Sequence, residues 1–382
     1  MKFIFNKYLY TKCLKKLYYY LESKKLEKFF IKILENPKYK NILIMDTIPY
    51  GSCLIQRPHQ LMEFFAKYYD VVLYKLGGKK TFIHYKDNII LCPEIKFKKI
   101  KNKKITYYIE SSNEVRDVND IKKIKKYGYK FVYDYLDEFS NKVFKTKNPF
   151  TIYKNLEKLK PDLIITTSGR MYSDIAERFP KEKIVMAKNG ANPDDFINGI
   201  TDFIPEDIKP VIQQGKPIIG YYGAIAKWLD YNLLSKAAEI HKDYNFVFIG
   251  KDSQLSSQKL KVHKNVYFLG RKKYEELPNY AKFFDCCLIP FLKGNIAKAT
   301  SPVKLFEYMA LKKPVVCTRD LDECKGYEGC LISNDDDEFI KNISLAIEMS
   351  KDKIIQEKLL NYAKMNSWEE KANSILNKMR NL

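Results

Sequence analysis

The chain lacks the devices that hold a small secreted domain together. Its 8 cysteines include no Cys-x-x-Cys pair. Cys286 and Cys287 are adjacent in one apolar run, Cys317 ends the next, and Cys324 and Cys330 lie in a glycine-containing loop with no histidine beside them. Such spacing predicts neither a disulfide framework nor a structural zinc site, and a reducing cytoplasm suits it. No apolar run is long enough to cross a bilayer. The first residues are basic and aromatic, but lysines interrupt them too often for the apolar segment of a secretory leader. Arginine is scarce beside lysine, which argues against bidentate reading of bases and hence against a nucleic-acid partner.

Positive charge is in excess. Lys and Arg number 68 against 46 Asp and Glu, a formal net charge of +22. Nucleic acid, an anionic membrane surface or anionic small molecules would each suit that balance, and part of it reflects a composition rich in Lys, Ile, Asn and Tyr. At 382 residues, 46% hydrophobic and 30% charged, the chain reads as a globular protein of two or three domains with ample core.

Residues 1–40 form a basic amphipathic extension, in which Lys7, Lys15, Lys24 and Lys32 alternate with Tyr8, Leu14, Tyr18, Phe29 and Phe30. Two readings stay open: helices packed on the adjoining domain, or helices laid on anionic lipid at the inner membrane face. From residue 41 an apolar run, a loop, a helix and another apolar run repeat, starting with Asn41–Asp46, the helix opened by Gln56-Arg57-Pro58-His59, and Val71–Tyr74. This predicts an α/β chain with doubly wound parallel sheets. The expected divisions are 41–200, a linker rich in proline and glycine near 199–215, 201–365, and a last helix over 366–382. Gly223 ends the strand Pro217–Tyr222 and would let a ligand approach the backbone. A helix containing Trp228 and Asp230 is expected next, and another over Tyr274–Phe284.

The most informative stretch is Ala299-Thr300-Ser301-Pro302-Val303-Lys304-Leu305-Phe306-Glu307-Tyr308-Met309-Ala310-Leu311-Lys312-Lys313-Pro314-Val315-Val316. It follows the apolar strand Cys286–Ile289. Ser301 reads as an N-cap with Pro302 at the first helical position, and Pro314 stops the helix. A helix start after the carboxyl end of a parallel strand is where α/β proteins bind anions. Lys304 and Glu307, three apart, share a face. A cation and a carboxylate there suit a nucleotide, with the diphosphate near Lys304 and the ribose on Glu307. The plainer alternative is an amphipathic helix carrying a surface Lys–Glu pair.

Ser-Pro-x-Lys-Leu-x-Glu-Tyr-x-Ala-x-x-Lys-Pro-Val-Val resembles the donor-sugar nucleotide signature of GT-B glycosyltransferases of the retaining family four. Within that family the chain is most similar to bacterial enzymes of surface polysaccharides, of the teichuronic-acid type. Gln-Arg-Pro-His and Asn189-Gly190-Ala191-Asn192 also resemble segments of that group. The resemblance covers roughly residues 41–380. It implies a GT-B fold, two Rossmann-like domains facing a cleft, with an acceptor on the first and a nucleotide-sugar, UDP-linked, on the second. It implies a hexosyltransferase-like enzyme that moves a sugar to a cell-surface glycan or a lipid-linked acceptor, in the cytoplasm or peripherally on the inner membrane face. Donor contacts would come from Gly223, Lys227, Arg271, Asn295, Thr300, Ser301, Pro302, Lys304 and Glu307, with Asn295, Lys298 and Thr300 expected in a loop. Acceptor contacts would come from Arg57, His59 and Asp137. Asp134, Lys304 and Glu307 are the catalytic candidates. No cofactor or metal is expected, because a helix end and lysines can neutralise the diphosphate.

Two departures stand out. Gly-Ala-Ile-Ala-Lys-Trp lacks the arginine common near the diphosphate, and Ala299 stands where relatives carry a first glutamate. An inactive GT-B protein binding membrane or nucleic acid, or a nucleotide-sugar epimerase, are the competing readings.

Overall fold

The computed structural model describes residues 23–51, 55–78, 81–110, 118–136, 149–252 and 256–382. The chain forms two compact units. The first runs to Ile165 and adds Arg178–Val185 and Ile375–Leu382; the second comprises Thr166–Glu177 and Met186–Ser374.

The first sheet has eight strands: β1 (Asn41–Tyr50), β2 (Val71–Leu76), β3 (Ile83–Lys86), β4 (Ile89–Cys92), β5 (Lys104–Glu110), β6 (Lys130–Tyr135), β7 (Leu163–Thr166) and β8 (Ile184–Met186). Their order is β3-β4-β2-β1-β5-β6-β7-β8. The central strands read as unbroken apolar runs, such as Ile42–Met45, because they are buried on both faces, as parallel strands flanked by helices must be. β3 pairs antiparallel with β4. The sequence reading missed it, since His84 and Lys86 are exposed and its apolar pattern is thin.

The second sheet has six strands: β9 (Ile218–Tyr222), β10 (Asn245–Ile249), β11 (Val266–Phe268), β12 (Cys286–Ile289), β13 (Val315–Thr318) and β14 (Cys330–Ser333), in the order β11-β10-β9-β12-β13-β14. Among the described residues its strands pair in parallel. In each sheet the first strand sits inside and the chain winds outward both ways, the doubly wound pattern that places sites at strand carboxyl ends.

The part of the amino-terminal extension within the described residues, the helix over 23–35, packs on the first unit. Phe30 and Leu34 are fully buried, and Ser23 donates to Glu94. This favours the packed reading for that helix; residues 1–22 lie outside the described residues. Among the described residues no helix is long and apolar enough to cross a membrane.

Four local expectations are corrected. Residues 223–230 are not helical: Asp230 instead caps the helix Tyr231–Ile240 by accepting from Leu233 N–H, and Trp228 lies in the irregular segment before it. The expected helix over Tyr274–Phe284 is a 3-10 turn followed by Leu277–Ala281. Asn295 and Lys298 belong to a short helix, Asn295–Ala299, rather than a loop. Ser301 is not the N-cap of the following helix, Val303–Ala310; Pro302 occupies that position. The Ser301 hydroxyl is taken by another partner, described below.

Candidate functional site

The site in the second unit begins where two glycines let strand ends close together. Gly223 follows β9 with φ +136, and Gly250 follows β10 with φ +156. A Cβ on Gly250 would fall 1.8 Å from the Gly223 carbonyl oxygen, so no side chain fits there. A Cβ on Gly223 would lie 2.9 Å from Lys304 Cε. The lysine therefore packs directly over the bare backbone at the end of β9. Its ammonium sits 5.5 Å from the ring centroids of both Tyr221 and Phe291, a cation–π arrangement that lets a cation stay charged beside apolar surface.

Glu307 lies three residues on in the helix Val303–Ala310. It is only 6% exposed, which rules out a surface Lys–Glu pair. Burial raises its pKa to about 7, and the nearby Lys304 charge and the Tyr222 hydroxyl offset part of that rise. Burial lowers the Lys304 pKa, and Glu307 opposes that effect. Aromatic rings wall the carboxylate. Tyr222 and Tyr308 pack at 4.7 Å between centroids, Phe196 stacks on Tyr222, and Tyr274 meets Phe196 edge-on. Tyr308 accepts from Tyr222 N–H through its hydroxyl, fixing the helix to the strand end. None of these tyrosines was singled out from the sequence; Tyr221-Tyr222-Gly223 and Tyr308 inside the motif were the available signal.

The helix start is held from the side. Asn189 N–H donates to Ser301 Oγ at 3.0 Å, and Asn189 Nδ2 donates to the Ser301 carbonyl at 2.7 Å. The helix end forms a Schellman motif: Lys312 N–H bonds Met309 O, Lys313 N–H bonds Tyr308 O, and Lys312 takes the left-handed conformation usually given to glycine.

The other donor candidates divide. Gly223, Thr300, Ser301, Pro302, Lys304 and Glu307 gather around the end of β9 and the motif helix. Lys227 and Arg271 are exposed, on the segments after β9 and β11. Ala299 is 5% exposed and its methyl offers no acceptor. Sequence spacing gave no hint that Cys317 and Cys330, on neighbouring strands, would bring their sulfurs to 3.7 Å as free thiols.

In the first unit, Arg57 and Asp134 are not open side chains. Arg57 Nε donates to Asp134 Oδ2 at 2.8 Å, with the two groups 2% and 1% exposed. Tyr108 donates to the same oxygen. Asp134, next to last in β6, pairs in register with Glu110 at the end of β5, whose carboxylate accepts from Ile48 N–H at 2.7 Å. Burial pushes the His59 pKa down to about 4, so its ring is neutral; Nδ1 accepts from Gln56 N–H, which leaves the proton on Nε2. Asp137 lies outside the described residues.

Comparisons with known proteins bear on residues 216–348 and on the fold. A family model described as "Glycosyl transferases group 1" matches residues 216–348. A protein of Bacillus subtilis (strain 168) named "Putative teichuronic acid biosynthesis glycosyltransferase TuaH" is 28% identical over 189 residues, which is 48% of this chain and 45% of TuaH; the chain thus spans less than half the length of this relative. Among solved structures, Anabaena HepE in complex with UDP superposes with a TM-score of 0.63 at 14% identity, over 90% of this chain and all of that one. Sucrose-phosphate synthase from Thermosynechococcus elongatus gives 0.66 at 12% identity, covering 89% and 98%. A trehalose-6-phosphate protein from E. coli bound with UDP-2-fluoro glucose gives 0.68 at 11%, covering 89% and 99%. Residues 216–348 carry a glycosyl transferases group 1 domain within a chain of GT-B fold.

Proposed function

We propose that this protein transfers a glycosyl unit, with retention, from a UDP-linked sugar to a cell-surface glycan or lipid-linked acceptor. The observation that carries the reading is the Lys304–Glu307 pair set against the bare backbone of Gly223. Lys304 would meet the diphosphate, helped by the free N–H groups at the start of Val303–Ala310. Glu307 would accept hydrogen bonds from the ribose hydroxyls. The matched relative is assigned to teichuronic acid synthesis, and two of the superposed structures hold UDP or a UDP-sugar, which supports the choice of donor and acceptor class.

The chemistry asked of the protein is modest. The departing diphosphate can take the acceptor proton, so the residues position two substrates and stabilise developing negative charge at Lys304 and the helix start. No metal is needed for that step. Ala299 removes one acceptor from the sugar subsite, and Thr300 or backbone groups near Ser301 would hold the sugar in its place. In the first unit we assign Arg57 and Asp134 to positioning, since their buried pairing fixes the Gln56–His59 helix start, with His59 and Asp137 left to the acceptor.

The test is transfer from a panel of UDP-sugars by the parent and Glu307→Gln. A charged hydrogen-bond acceptor contributes about 1.5–3 kcal/mol, so the variant should lose about 10- to 150-fold in kcat/KM. Parental rates with Glu307→Gln would place the nucleotide elsewhere.

A further inference from the structure

The amino ends of the parallel strands in the first sheet lie along one edge, away from the carboxyl ends that carry Glu110 and Asp134. Lysines mark that edge: Lys40 precedes β1, Lys104 begins β5, Lys130 begins β6 and Lys183 precedes β8. Register sets Lys104 opposite Asn41, and Lys130 opposite Thr106, so the charges recur at strand spacing. A pocket of about 330 Å³ lies here, within the first unit.

Four cations line the pocket: Lys103, Lys104, Lys130 and Arg380. Among the described residues no Asp or Glu side chain does. Lys104, Lys130 and Arg380 form no ion pair with any described residue. Arg380 stacks on Tyr68 at 4.4 Å, which holds the guanidinium at the wall. Lys103 donates to Asn36 O at 2.5 Å. Two carboxylates near Lys103 are engaged elsewhere: Glu35 pairs with Lys98 at 2.5 Å, and Asp70 accepts from the N–H groups of Lys40 and Asn41 at 2.6 and 2.8 Å. Leu382 lines the rim. Beyond the pocket, Lys125 adds a cation near Lys130, Lys160 and Lys183, with Asp162 3.8 Å away. Lysines at helix carboxyl ends are ordinary complements of the helix dipole. Lys104 and Lys130 stand on strands, so that explanation does not reach them.

We propose that this pocket binds a phosphate ester, with Lys104, Lys130 and Arg380 around the phosphate and Tyr68 and Met379 against the apolar part of the ligand. The chemistry is shared by a phospholipid headgroup and a soluble phosphate ester. The pocket is independent of the donor reading, since it lies in the other unit and uses none of the donor residues.

The full chain would be titrated with inorganic phosphate, with soluble dihexanoyl-phosphatidylglycerol, and with vesicles of phosphatidylglycerol in phosphatidylcholine. Four proteins are compared: the parent, Lys104→Gln with Lys130→Gln, Arg380→Gln, and a control, Lys261→Gln with Lys264→Gln, which removes the same charge from exposed positions in the second unit. Removing two lysines at an anionic surface should weaken binding about thirtyfold, Arg380→Gln should weaken it in the same direction, and the control should hold within about threefold. Loss with both lipid probes assigns a headgroup, and loss that includes inorganic phosphate assigns the phosphate itself. Equal loss in pocket and control variants, loss confined to vesicles, or no binding by the parent would each overturn the proposal.

Discussion

Glu307 carries the sharpest consequence at the scale of a single residue. Its folded pKa of about 7 lies above the ordinary glutamate value of 4.5. The folded state therefore holds a proton that the unfolded state has released across that window. Its contribution to stability is complete below about pH 4.5 and is lost as pH rises through about 7. His59 acts oppositely: its folded pKa of about 4 lies below 6.5, so stability falls as pH drops through that window. The two partly cancel in any single pH curve, and the difference between proteins removes His59 and leaves Glu307 with the Lys304 charge it supports. The unfolding free energy of the parent minus that of Glu307→Gln, by denaturant titration, should fall between about pH 5 and pH 8. A flat difference would mean that the carboxylate is solvated. Asp134 gives a second residue-scale outcome. Removing one partner of a buried ion pair leaves the other uncompensated, so Asp134→Ala should lose about 3–5 kcal/mol of stability. Loss of activity in a variant with parental stability would instead show a catalytic carboxylate.

Elements were easiest to read where chemistry repeats and hardest where partners lie far off in sequence. The apolar runs of β1, β2, β9 and β12 announced buried parallel strands, and the Lys-Pro stop of the motif helix was visible. The start of that helix was not. Ser301 has the right residue type for an N-cap, but its hydroxyl accepts from Asn189, 112 positions away, a contact no local pattern displays. The prediction is specific to that bond. In Ser301→Ala the Asn189 amide should exchange with solvent markedly faster, while the first-turn amides of Val303–Ala310 keep their protection. Faster exchange in the helix turn with Asn189 unchanged would restore Ser301 as the cap. β3 escaped notice because its outward residues are polar, and Asp230 was misplaced because a capping aspartate and a helical one look alike without the chain trace.

For the whole molecule, the architecture was legible because two runs of alternating strand and helix admit few topologies. Lys304, Glu307 and Gly223, the candidate nucleotide contacts, were legible because a strand end and the helix start after it are where α/β folds gather ligand contacts. The tyrosine wall and the buried Arg57–Asp134 pair were not, since both depend on which strand ends become neighbours. Net charge of +22 pointed to an anionic partner without locating it. The structure offers two separate places, the Lys304 region of the second unit and the amino-edge pocket of the first. The central claim concerns the former. Glu307 must be ionised to accept from two ribose hydroxyls, so nucleotide binding should release a proton and tighten with rising pH. The direct measurement is calorimetric titration of a UDP-sugar, whose doubly esterified diphosphate keeps one charge state over this range as free UDP does not, into the parent and Glu307→Gln at about pH 6 and pH 8. The account predicts tighter binding by the parent at the higher pH and weaker, pH-insensitive binding by the variant. Equal affinity of the two proteins at both pH values would contradict it.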